Sequence, residues 1–100
     1  AGRPGLLAGG TRLLAASPNP FNPTTRIEFE LAAAGRVEIA IYDVSGRLVR
    51  TLLDEHRRAG GHSVTWDGRD GAGSAVASGI YFYSLNAGTF SQTKKLILMK

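Results

Sequence analysis

The sequence predicts an all-β protein, an immunoglobulin-like sandwich of about seven antiparallel strands. Three observations carry this. Apolar and polar residues alternate with period two over several short segments, the pattern of a strand with one buried face. Glycine-rich turn signals, with 13 glycines among 100 residues, separate those segments at near-regular spacing. Seven such segments fit one domain of this length, as in a sandwich.

Thr11 to Ala16 reads as the first strand. It ends at Ser17-Pro-Asn-Pro-Phe-Asn-Pro-Thr-Thr25, where three of the chain's four prolines crowd together. Pro18, Pro20 and Pro23 each remove a backbone donor and push the preceding residue to extended geometry. They are therefore expected to end the first strand and to forbid pairing until Thr24. Asn19 and Asn22 suit tight turns, and Phe21 is the apolar plug that pins the corner to the core. This reads as punctuation and not as a docking motif.

Thr25 to Leu31 alternates, with Ile27, Phe29 and Leu31 on one face. After the turn Ala32-Ala-Ala-Gly35, Arg36 to Asp43 repeats the pattern with Val37, Ile39 and Ile41 inward. Val44-Ser-Gly46 turns into Arg47 to Leu53, whose leucines also fit helical spacing. The run is short and lies between Ser-Gly and Ala59-Gly-Gly61, so a strand is preferred. Asp54-Glu55 beside Arg57-Arg58 reads as a solvated hairpin end.

Gly61 to Trp66 is the next strand, and Asp67-Gly-Arg-Asp-Gly-Ala-Gly73 is a loop. Gly79 to Leu85, the turn Asn86-Ala-Gly88 and Thr89 to Met99 form a C-terminal hairpin. Residues 1–16 thus read as an N-terminal arm plus the first strand, and 17–100 as the sandwich.

Chemistry is hard to find in this chain. Cysteine is absent, which excludes disulfides, thiolate metal sites and a cysteine nucleophile. No apolar run approaches the roughly 20 residues of a membrane span. The net charge of +4 comes from scattered arginines with no aromatic interleaving, a solvated surface and not a nucleic-acid face. His56 and His62 lack partners at ligand spacing. Asp67 to Gly71 fails as an EF-hand loop, because Arg69 sits at the third position and Ser78 at the twelfth. Turn chemistry at Asp67, Gly68 and Asp70, and at Gly79, explains it better. No cofactor, metal or enzymatic activity is expected.

Pro18-Asn-Pro-Phe-Asn-Pro-Thr-Thr25, Val37-x-Ile-x-Ile-Tyr-Asp43, Gly46-Arg47, Trp66-Asp-Gly68 and Gly79-Ile-Tyr81 form a series. As a set, over about Ser17 to Lys100, they resemble the C-terminal sorting domain of type IX secretion substrates and the related Ig-like domain of flagellar hook-capping proteins. The resemblance implies a non-catalytic module, secreted or on a bacterial cell surface, serving as a sorting or attachment domain. Its basic last strand, with Lys94, Lys95 and Lys100, would be read by export machinery, and a cargo domain would accompany it.

The alternative is a self-assembling subunit of an extracellular filament, its partners being copies of itself. There the N-terminal arm would add a strand to a neighbour's sheet edge, with Leu6, Leu7, Leu13 and Leu14 filling pockets.

Overall fold

The computed structural model describes residues 10–100. Leu6 and Leu7 of the expected arm lie outside the described residues. Seven strands follow in order: β1 (Arg12–Leu13), β2 (Thr25–Leu31), β3 (Gly35–Asp43), β4 (Leu48–Arg57), β5 (Gly60–Trp66), β6 (Gly79–Ala87) and β7 (Phe90–Leu98). They form two antiparallel sheets, β1-β2-β5 and β4-β3-β6-β7. The all-β sandwich read from the alternation is the fold of the protein.

The inward positions meet between the sheets. Ile27, Phe29 and Leu31 of β2 face Val37, Ile39 and Ile41 of β3, with Tyr83 and Leu85 of β6 and Leu96 and Leu98 of β7. Each fully buried aliphatic or aromatic side chain contributes about 1.5–3 kcal/mol relative to exposure. This core holds the two sheets together without disulfides.

Three local expectations are corrected. The first strand is only two residues long, not Thr11 to Ala16. After Leu14 N–H donates to the Glu28 carbonyl at 2.9 Å, the ladder gives way to a side chain. The Tyr83 hydroxyl accepts from Ala16 N–H and donates to the Leu14 carbonyl, both at 2.9 Å. Leu13 and Ala16 are buried in the core, so the sandwich takes in residues ahead of Ser17.

β4 runs on to Arg57, and Asp54 to Arg57 are not a hairpin end. They pair with Glu38 back to Gly35. Their charges suit an edge strand with one face in water, where Arg36 meets Asp54 at 2.8 Å and Arg57 meets Glu55 at 2.9 Å.

The proline-rich corner also pairs before Thr24. Phe21, which is not a proline, forms a parallel bridge with Leu98: its N–H donates to the Ile97 carbonyl and its carbonyl accepts from Met99 N–H, each at 2.9 Å. The prolines silence their own donors but not those of the residue between them.

Candidate partner-binding surface

The corner built by Pro18, Pro20, Phe21 and Pro23 does more than turn the chain. Asn19 reaches the same strand as Phe21, its Nδ2 donating to the Lys95 carbonyl at 3.2 Å and its Oδ1 accepting from Ile97 N–H at 3.0 Å. Together Asn19 and Phe21 occupy the outer backbone groups of β7 from Lys95 to Met99. An open strand edge is a template for unwanted pairing, and here it is covered. Thr25, buried at the base of the corner, donates from Oγ1 to the Pro18 carbonyl at 2.7 Å. The ring of Phe21 lies inside, 5.4 Å from that of Trp66.

The loop between β5 and β6 is held by its own acceptors. Asp67 Oδ1 accepts from Arg69 N–H at 3.1 Å and from the Arg50 guanidinium at 2.9 Å, which ties the loop to β4. Asp70 Oδ1 accepts from Ala72 and Ser74 N–H, both at 3.0 Å. Gly68 has φ +76°, and a Cβ there would lie 3.4 Å from the Pro23 carbonyl, so loop and corner meet at a position suited to glycine. Gly79, at φ +150°, starts β6. Among the described residues no group of three or more His, Asp or Glu side chains could hold a metal ion.

An open cleft of about 430 Å³ separates this loop from the β3–β4 turn, lined by Asp43, Arg47, Val49, Asp70, Val76 and Tyr81. Its polar groups are engaged in shaping the turns. Asp43 Oδ1 accepts from the Ser45 hydroxyl at 2.6 Å and from Ser45 and Arg47 N–H. The Ser45 hydroxyl and then the Arg47 N–H hold the Asp43 carboxyl down at about 2. Tyr81 donates to the Ala77 carbonyl at 2.6 Å, and burial raises its phenol above the usual value. Asp43 is thus a turn anchor with no proton to exchange near neutrality.

What remains on the surface is suited to contact. Lys95 and Lys100 are exposed and Lys94 is half-buried; among the described residues none of the three has a carboxylate within ion-pair distance. On the outer face of the four-stranded sheet Tyr42, Phe82 and Lys95 stand opposite one another, and Ile80 faces Ile97 one step on. Tyr42, Val44, Phe82 and Thr93 line a shallow groove there, with Val44 70% exposed. Sequence reasoning passed over this band. Its signal was an apolar residue at Tyr42, Ile80 and Phe82, where the alternation calls for polar ones. Leu13 and Leu14 do not belong to such a surface: Leu13 is 3% exposed inside its own core and Leu14 is half-buried against the sandwich.

The profile of the FlgD Ig-like domain matches residues 16–91, which include the proline corner, the central hairpins and the aromatic strand. The chain belongs to the FlgD Ig-like domain family. The basal-body rod modification protein FlgD of Salmonella typhimurium is 38% identical over 87 residues, covering 83% of this chain and 38% of its own length. The Escherichia coli protein of the same name is 36% identical over the same span. The chain therefore spans about two-fifths of the curated FlgD relatives it matches. Among solved structures, FlgD from Xanthomonas campestris, described as giving insights into hook capping essential for flagellar assembly, superposes with a TM-score of 0.62 at 27% identity. The match covers 92% of this chain and 69% of that one. Latent PorU of Porphyromonas gingivalis superposes at 0.71, covering 89% of this chain and 9% of that one; at 22% identity this likeness is one of fold.

Proposed function

We propose that the chain is the Ig-like module of a flagellar hook-capping protein, a structural and non-catalytic part that works outside the cell by contact with protein partners. The family match over residues 16–91 carries this reading. It is supported by the use of Asp43, Asp67 and Asp70 as turn anchors and by the apolar band on the outer sheet face, where Tyr42 and Phe82 are half-buried and Val44 and Ile80 are exposed. The test is a graft. The corresponding segment of the Salmonella typhimurium relative is replaced by residues 10–100, and hook assembly is scored in a strain lacking that relative. Hooks of normal length support the reading. A chimera that is folded and exported, yet forms no hooks, argues against it.

A second reading, a sorting domain recognised through Lys94, Lys95 and Lys100, has one observation in its favour: these lysines are free of ion pairs among the described residues. Unchanged export of a fused cargo in a Lys95→Ala, Lys100→Ala variant would count against it.

A further inference from the structure

The exposed large apolar side chains among the described residues are Val44, Leu48, Ile80 and Met99. They are far apart in sequence, yet the strand register brings them to one end of the four-stranded sheet. Asp43 stands opposite Tyr81 and Gly79 opposite Leu98, so the β3–β4 turn, the start of β6 and the end of β7 lie together. Half-buried Tyr42 and Phe82 continue the same face. Tyr42 is paired with Leu48 on one side and with Phe82 on the other. Gathered in this way, the apolar groups mark a contact site and not the usual scatter of single exposed residues.

The shape of the site limits what enters it. The groove beside Tyr42, Val44, Phe82 and Thr93 holds about 250 Å³. That is below the roughly 300–1,000 Å³ of small-molecule sites, and it suits one or two side chains of a protein partner.

Charge limits the occupant further. Asp43 is the one carboxylate lining the groove, and the Ser45 hydroxyl, two backbone N–H groups and the Arg47 guanidinium occupy it. Glu38, on the same face of β3, lies about 13 Å along the strand from Tyr42. Asp54 is paired with Arg36. Lys95, directly across from Phe82, is exposed and has no carboxylate within ion-pair distance among the described residues. The rim therefore keeps a cation to spare beside an aromatic ring. A lone lysine is too little for an anionic lipid surface, which is held by clusters of basic residues. A second copy fits poorly as well. Among the described residues no other face carries an exposed large apolar side chain to fill the groove. Face to face, the two Lys95 side chains would add like charge to the contact.

We infer that this end of the sheet docks a segment of another protein in which one or two large apolar side chains stand beside acidic ones. The apolar side chains fill the groove between Tyr42, Val44 and Phe82, and a carboxylate meets Lys95. The inference rests on the contact role proposed above and adds the chemistry of the partner.

The test is an amide-shift titration of isotope-labelled residues 1–100 with the peptide acetyl-Glu-Glu-Trp-Leu-Glu-Glu-amide. The expected result is a set of shifts centred on Tyr42, Val44, Phe82 and Lys95, with a Kd on the order of 1 mM or tighter. The same peptide with lysine in place of every glutamate should bind about tenfold more weakly or worse. Lys95→Glu should invert that preference, and Val44→Ser should weaken the acidic peptide by about tenfold. Both side chains are exposed, so both variants should melt with the wild type. No shifts at about 5 mM acidic peptide would overturn the inference. So would shifts centred on another surface, or a preference that Lys95→Glu leaves unchanged. Shifts at the same residues that grow with protein concentration alone would overturn it too, because a second copy is then the occupant. Binding to phosphatidylglycerol vesicles in place of the peptide would hand the site to lipid. The titration makes no use of hook assembly, so a chain that forms hooks in the graft and ignores the peptide refutes this inference alone.

Discussion

The rings of Trp66 and Tyr81 meet edge to face, 5.4 Å apart at 71°, and each gives its polar hydrogen to the loop between β5 and β6. The Trp66 indole donates to the Arg69 carbonyl at 2.8 Å and the Tyr81 hydroxyl to the Ala77 carbonyl. A loop of Asp, Gly and Ala thereby takes its shape from two core aromatics. Tyr81→Phe removes one hydrogen bond and should cost about 1 kcal/mol. Trp66→Ala, which also opens a cavity beside Phe21, should cost about 3–5 kcal/mol. Urea denaturation of both variants gives the ratio. Equal losses would mean that the aromatic contact contributes little.

Phe21→Ala and Asn19→Ala separate the two duties of the proline corner. The first empties a buried site and should lower stability by about 3–5 kcal/mol. The second uncovers the Lys95 carbonyl and Ile97 N–H to water and should cost roughly 1 kcal/mol. Amide exchange at Ile97 should nevertheless rise in Asn19→Ala while exchange in β2 stays put. Unchanged protection at Ile97 would remove Asn19 from the cover of β7.

Tyr83→Phe should strip both partners from the segment after β1. The Ala16 N–H and Leu14 carbonyl are then left without a protein partner, at a cost of about 1–3 kcal/mol. Faster proteolysis between Leu14 and Ser17 would show where the loss falls. A variant as resistant as the wild type would show that β1 holds the segment unaided.

Acid and alkali should act at different places. A carboxylate with a depressed folded pKa contributes stability that is complete above its unfolded value and lost as pH falls through the folded one. Asp43, held at about 2, should therefore release the β3–β4 turn between about pH 4 and about pH 2. Asp43→Asn should flatten that limb of the stability curve. Burial raises the phenols of Tyr81 and Tyr83, so their contribution is present below about pH 10 and lost as pH rises through their folded values. Chemical denaturation at a series of pH values measures both limbs.

The sandwich was legible because its core strands alternate cleanly. Ile27, Phe29, Leu31, Val37, Ile39 and Ile41 all lie where period two puts them. Ranges blurred where backbone bonds go to side chains or where an edge strand carries charge: β1 stops at the Tyr83 hydroxyl, and β4 keeps pairing through Asp54 to Arg57. The surface was less legible, for a physical reason. Which strand is an open edge depends on strand order, and nothing local in Gly60 to Trp66 reports that its second side faces water. The cover over β7 likewise joins residues nearly eighty positions apart.

Asn19 and Phe21 lie beside Lys95 to Met99 in parallel, and four hydrogen bonds cross between the two segments. Tension that drew the chain before Asn19 one way and the chain after Met99 the other would load those bonds together in shear. A hairpin pulled open at its mouth yields them one by one. Under such a load the proline corner would behave as a lap joint and not as a zipper.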